Sequence, residues 1–278
     1  MLILRNATQP CEQLRGKLTK VNPSKEMTAV VFGSLPFPGQ SGDRVVSKVV
    51  STAIAAMFKR TDKIEANVRA EPVAKLLQGS IDGFDFIGNG MLMYNGLRIE
   101  AMELYVQAVG IDFGAIFRGQ IELKQPTQAT MRVVLTQEDL TTSFNTPFIV
   151  EKLQRLQFQG QPLYFQNTQM ILNQDKSLRI KTQIRVGNDS EPQEIDLTAH
   201  LQLEDRRRIQ FVDVSYQGDE NAIAISQALV AHVNDLLDLD KFALDGTKLR
   251  IDRARIQNQQ LVFYGIANID RFPQPKQR

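Results

Sequence analysis

The most apolar helical pattern in the chain lies at Asp43–Lys59, DRVVSKVVSTAIAAMFK. Val45, Val46, Val49, Val50, Ala53, Ile54, Met57 and Phe58 recur there at spacings of one, three and four, on one broad stripe of a helix. Most of the chain after it alternates. Ile64, Ala66, Val68 and Ala70 interleave with Glu65, Asn67, Arg69 and Glu71; Leu178, Ile180, Thr182, Ile184 and Val186 with Arg179, Lys181, Gln183 and Arg185; Ile195, Leu197, Ala199, Leu201 and Leu203 with Asp196, Thr198, His200 and Gln202. Such period-two runs are half-buried strands, and several last about nine residues or more, above the usual five or six. Long strands with one apolar face need a cover. The Asp43–Lys59 helix is therefore expected to cover part of a large, strongly curved antiparallel sheet.

Turn and cap chemistry sets the boundaries. Pro72 is placed to open a short helix, Val73–Leu77, that Gly79 closes. Tyr94-Asn95-Gly96-Leu97 predicts a tight two-residue hairpin. In Leu97–Val109 the apolar phase slips, from Leu97, Ile99 and Ala101 to Met102, Leu104, Val106 and Ala108, which predicts a β-bulge near Ala101–Met102. Thr136, with Asp139 three residues on, opens a second helix that Pro147 kinks or splits at Asn145. A third helix runs over Glu220–Leu237, and Leu249–Ile256 with Leu261–Ile269 reads as a closing hairpin. The order strands-then-helix occurs twice, over Ile64–Leu156 and Tyr164–Leu237, without a shared motif. The class is α+β. The expected organisation is an N-terminal arm at 1–42 broken by prolines and glycines, one domain at 43–270, and a loose tail at 271–278.

Composition narrows the function classes. The chain of 278 residues is 42% hydrophobic with a formal net charge of +2 and no Trp. That balance speaks for a globular protein and against a nucleic-acid binder, while leaving local basic patches free to meet acidic headgroups. Cys11 is the single cysteine, so no disulfide forms within the chain and a reducing, cytoplasmic location is expected. Leu2, Ile3 and Leu4 are too short an apolar run for a secretory signal, which needs about 7–15 residues. Val45–Phe58 carries Lys48 and falls short of the about 20 residues of a membrane span. Peripheral, transient membrane contact stays open.

Catalytic constellations are missing. No G-x-S-x-G elbow occurs, His200 lies on the polar phase of a strand, and His232 lies in the third helix. Two distant histidines and one cysteine make no standard zinc site, and Asp235, Asp238 and Asp240 lack calcium-loop spacing. No cofactor, metal or catalytic residue is expected. The run Arg206–Arg208 reads as a solvated turn, with a headgroup contact as its alternative.

The stretch VVSKVVSTAIAAMFKRTDKIEANVRAEPVAKLLQGSIDGFDF resembles the start of the LmeA-like phospholipid-binding family, formerly a domain of unknown function. The carrying features are the helix, the strand, the short helix ending Leu76-Leu77-Gln78-Gly79, and the strand at Gly79–Ile81. Tyr94–Ile99 is similar to the family's hairpin, Val134–Leu140 to its helix opening, and Leu236–Gly246 to a C-terminal signature of cyanobacterial members. The resemblance covers roughly Asp43–Ile269. It implies a fold similar to tubular lipid-binding (TULIP-like) proteins, in which a long bent antiparallel sheet wraps a helix and acyl chains lie in the groove. It implies no catalytic residues. The family's actinobacterial members carry an N-terminal export or anchor segment, for which this sequence shows no pattern.

The function expected on this basis is non-enzymatic binding of a phospholipid or similar amphiphile in an apolar groove between the Asp43–Lys59 helix and the curved sheet, serving lipid transfer or membrane-lipid homeostasis. Inward residues expected to line the groove are Ile54, Met57, Met131, Val133, Ile180, Ile184, Leu197 and Leu201, with basic residues at a rim for the headgroup. For each apolar position the plainer reading is ordinary core. Two other functions remain: a structural or interaction module with a filled interior, and a hydrolase of apolar esters, which needs a buried Ser or Asp beside His200 or His232.

Overall fold

The computed structural model describes residues 47, 48, 51, 52, 54–56, 58–72, 74–112, 115, 122–188, 191–241 and 246–271. The expected arm at 1–42, Met57 and nearly all of the expected tail lie outside them. The described residues form eleven strands: β1 Lys63–Arg69, β2 Ser80–Leu92, β3 Arg98–Gly110, β4 Thr127–Thr136, β5 Gln157–Phe158, β6 Gln161–Leu172, β7 Leu178–Val186, β8 Gln193–Glu204, β9 Arg208–Gln217, β10 Thr247–Gln257 and β11 Gln260–Ile269. Three helices join them: α1 Gln137–Phe144, α2 Pro147–Leu153 and α3 Glu220–Leu236. A single helical turn, Ala74–Leu77, precedes β2. The class is α+β, as expected.

The strands divide into two open antiparallel sheets, one in the order β1-β2-β3-β4-β11-β10 and one in the order β5-β6-β7-β8-β9. The first is built from both ends of the chain. β11 returns to pair with β4 along its whole length, from Gln260 opposite Thr136 to Ile269 opposite Thr127. The second sheet is the intervening sequence, folded as consecutive hairpins. Both inner faces contribute to one hydrophobic core.

Local chemistry explains the helix boundaries. The Thr136 hydroxyl accepts from Asp139 N–H at 3.0 Å, and Asp139 Oδ2 accepts from Thr136 N–H at 3.0 Å, a reciprocal capping box. Thr146 caps α2 with Pro147 in its first turn, and of the expected kink or split at Asn145 the chain takes the split, into two helices. Asp219 caps α3 through Ala222 N–H.

Three helical segments also seal free sheet edges with side chains that imitate a neighbouring strand. Gln137, Thr141 and Asn145, four residues apart on α1 and its cap, bond to the backbone of Leu172, Met170 and Thr168 on β6. Asn234 of α3 does the same for Phe211 of β9. Ser47 and Ser51, in the described part of the N-terminal helix, accept from Val68 and Ala66 N–H on β1 at 3.1 and 3.0 Å. That helix therefore borders the edge of the first sheet, with Ile54 and Phe58 buried in the core. Backbone groups left unpaired at an edge are costly when buried, and these side chains satisfy them.

Two turn and register expectations change. The β2–β3 loop closes with Met93 N–H on the Leu97 carbonyl and Gly96 N–H on the Met93 carbonyl, with Gly96 at φ +88°. That is a three-residue loop, one longer than expected, with glycine in the left-handed position. β3 contains no bulge: its register with β2 and with β4 is continuous through Ala101 and Met102. From Arg98 to Leu104 every residue is half-buried, so both faces of this stretch are partly covered and both phases carry apolar residues. Bulges occur instead at Gln166/Gln169 in β6, Thr198/His200 between β8 and β9, and Ile251/Arg253 in β10. The β10 bulge keeps Leu249, Ile251, Ala254 and Ile256 opposite Ala267, Gly265, Phe263 and Leu261 of β11. Lys248, Arg250, Arg253 and Arg255 then share the other face.

Candidate functional site

Between the two sheets, and not against the described residues of the Asp43–Lys59 helix where the groove was expected, lies a half-open cavity of about 260 Å³. Both inner faces and all three helices line it. β4 and β11 supply cross-strand pairs, Val133 with Phe263 and Leu135 with Leu261. β8 and β9 supply Leu201 opposite Phe211. Leu140 and Phe144 of α1, Ile149 and Leu153 of α2, and Val233 of α3 close the remaining sides. Apart from Arg98 and Ser143, every lining residue is hydrophobic. Half-buried members lie around the β2–β3 turn (Met93, Leu97 and Ile99), at the end of α3 (Leu236, Leu237 and Leu239), and at Val133, Leu135, Phe144, Leu201 and Leu249. Two larger depressions, of about 620 and 640 Å³, lie on the other side of the first sheet. Asp85, Gln107, Gln128 and Thr130 make the second of them polar, so it suits water better than an apolar ligand, while in the first Lys48, Glu65 and Asn67 break up a lining with Ile64, Ala66 and Ile87.

The residues singled out from sequence fall into distinct places. Met131, Val133 and Leu201 line the cavity. Ile54, Ile180, Ile184 and Leu197 are buried in the core and do not border it. Met57 lies outside the described residues. Most lining residues were not singled out beforehand. Their period-two and period-3.6 signals are the same as those of solid core, so pattern alone could not have found them.

Arg98 is the one cation in the lining, and it is already engaged. Its Nε lies 3.2 Å from Asp139 Oδ1, its Nη1 donates to Glu138 Oε1 at 3.4 Å, and its backbone N–H donates to the Ser143 hydroxyl at 3.1 Å. Asp139 is 2% exposed. This cluster pins the β2–β3 hairpin to the start of α1, and so holds one part of the cavity wall in place.

Neither histidine reaches the cavity: His200 is exposed on β8, and His232 Nε2 meets the Lys152 carbonyl at 3.2 Å. Among the described residues, no three His, Cys, Asp or Glu side chains gather as a metal site. Nor is any helix among them long and apolar enough to cross a membrane.

Comparison with known proteins agrees with the character of the cavity. Searches of curated proteins and of solved structures find no match. The family model for LmeA-like phospholipid-binding proteins matches residues 40–266. That span takes in the second sheet, all of the first except the last three residues of β11, the three helices and the whole cavity wall. The chain thus belongs to the LmeA-like phospholipid-binding family.

Proposed function

We propose that this protein binds acyl chains of a phospholipid or similar amphiphile in the cavity between its sheets, without catalysing a reaction on them, in the manner of a tubular lipid-binding protein. The carrying observation is the lining, hydrophobic throughout except for Arg98 and Ser143. Moving a methylene from water to such a surface stabilises by about 0.8 kcal/mol, and nothing inside competes for a polar group. Met131, Val133 and Leu201 touch the chain in this reading. Native mass spectrometry of the protein purified from cells, with extraction and identification of bound lipid, tests it. A stoichiometric acyl lipid is expected. A clean apoprotein that also refuses fluorescent lipid would sink the proposal and favour a structural module.

Contact with the membrane is proposed to run through β10. Lys248, Arg253 and Arg255 are exposed on its outer face and make no ion pair among the described residues, whereas Arg250 is held by Asp240 at 3.0 Å. The inner face of the same strand places Leu249 and Ile251 in the cavity lining. Cations at an anionic bilayer surface contribute about 1 kcal/mol each. Reversing all three (Lys248→Glu, Arg253→Glu, Arg255→Glu) should cut co-sedimentation with anionic vesicles more than about tenfold at low salt. Equal binding of the variant, or binding that ignores salt, would show that this face is not the contact.

A further inference from the structure

The two sheets are joined more tightly at one part of the cavity wall than at another, and the looser joint marks an entrance, given the acyl-lipid reading above. Around the β2–β3 hairpin the bonds are buried or repeated. Asp139 is buried and holds Arg98, the Arg98 N–H donates to Ser143, and Gln137, Thr141 and Asn145 bond α1 to the β6 backbone.

At the far edge of the first sheet stands β10, which pairs with β11 alone and is interrupted by the bulge at Asp252. Edge segments with few partners open more readily than interior strands. The β8–β9 turn lies against this edge. The Arg206 carbonyl accepts from Ile251 N–H at 2.7 Å, the Arg207 carbonyl from Leu239 N–H at 2.9 Å, and the Leu237 carbonyl from Ile209 N–H at 3.1 Å. Ile209, Leu237, Leu239 and Ile251 all line the cavity, so this seam is part of its wall.

The side chains across the seam are held mostly by charge. Arg206 Nη2 lies 2.5 Å from Asp252 Oδ1, and Arg250 Nη1 lies 3.0 Å from Asp240 Oδ1. Arg207 Nε lies 3.5 Å from Asp238 Oδ1, and its Nη1 lies 3.9 Å from Asp240 Oδ2. Arg206 and Asp252 are both 52% exposed, so water and salt weaken that pair. Arg207 Nε is buried yet has no hydrogen-bond partner among the described residues, because Asp238 stands too far off. A buried donor left unpaired is costly, and parting the seam lets water reach it.

We infer that an acyl chain enters and leaves the cavity through this seam, between β10 and the β8–β9 turn, and that the four ion pairs hold it shut. Dissolved anions, or the phosphates of an anionic bilayer, compete for the same guanidinium groups and loosen it. Lys248, Arg253 and Arg255, the cations proposed above to meet the membrane, lie on the same strand.

A covalent lock tests the entrance. In the full chain carrying Cys11→Ser, Arg206→Cys and Asp252→Cys are introduced together and joined by a short bismaleimide. Stopped-flow fluorescence follows uptake of an uncharged fluorescent monoacylglycerol, which is not steered by the protein's charges. The same variant is measured before and after joining, so a folding defect shows in the first measurement. Joining should slow uptake more than about tenfold. Unchanged uptake by the joined protein overturns the inference and leaves the lipid reading standing. No uptake by the wild-type protein overturns the lipid reading and the inference with it.

The ion pairs have their own test. Asp240→Asn with Asp252→Asn removes three of the four. This variant should take up the probe about tenfold faster than the wild type at about 20 mM salt. Wild-type uptake should quicken about threefold by about 500 mM salt, and the variant's should not. Equal rates for the two proteins at low salt overturn the role of the ion pairs.

Discussion

Asp139→Ala lowers the unfolding free energy by about 3 kcal/mol in urea denaturation. The carboxylate is 2% exposed and serves three partners: Thr136 N–H at 3.0 Å, the Thr136 hydroxyl at 2.8 Å, and Arg98 Nε at 3.2 Å. Losing its half of the capping box costs about 1 kcal/mol. Breaking a buried ion pair costs about 3–5 kcal/mol when the abandoned charge stays dry. Arg98 is 34% exposed and keeps Glu138 nearby, so it rehydrates in part and only about 2 kcal/mol of that is expected. Asp139→Asn retains one acceptor oxygen and should lose about half as much. A loss under about 0.5 kcal/mol for the alanine variant would class the pair with solvent-exposed bridges and remove its role in holding the β2–β3 hairpin. Because that hairpin supplies Met93, Leu97 and Ile99 to the lining, the same variant should also exchange bound lipid faster.

A second pair of variants separates core from cavity wall along a single strand. Leu197 and Leu201 lie four residues apart on β8, in the same alternating run. Leu197 is 0% exposed, with Ile180 opposite on β7, and does not border the cavity. Leu201 is half-buried, pairs with Phe211 and lines it. Leu197→Ala should cost about 3 kcal/mol, the usual range for a leucine removed from a packed site, and leave acyl-lipid affinity unchanged. Leu201→Ala should cost about 1 kcal/mol, because much of its side chain already faces open space or solvent. It should weaken binding of a fluorescent acyl lipid by about threefold or more, because part of the surface that shields the chain from water is gone. Denaturation curves and titration with a fluorescent acyl lipid read the two effects separately. If Leu197→Ala weakens lipid binding and Leu201→Ala does not, the lining has been assigned to the wrong residues.

Phase slips show how far pattern reading goes. In β6, Leu163 and Phe165 give way to Thr168, Met170 and Leu172 on the buried face, and a bulge absorbs the extra residue. In β10 a bulge does the same between Ile251 and Arg253. In β3 a similar slip has no bulge, because both faces of Arg98–Leu104 are half-covered. One sequence signal thus has two physical causes, and only the neighbours of the strand distinguish them. The candidate lining behaves likewise. Ile180, Ile184 and Leu197 carry the same alternation as Met131, Val133 and Leu201, yet the first three meet close-packed core and the last three meet empty space.

What the sequence by itself determined is what short-range physics controls. The capping box at Thr136 and Asp139, the break before Pro147, the long alternating strands and the third helix each depend on residues within a few positions of one another. The α+β class and the family resemblance follow from those. Only the tertiary structure decided that β11 returns to β4, that β5–β9 separate as a second sheet, and that a gap persists where β4, β8, β9, β11 and the three helices meet. Pairing between distant strands depends on the closure of long loops and on the fit of whole faces. A cavity is the place where that fit is left incomplete, so no single stretch of the chain encodes it.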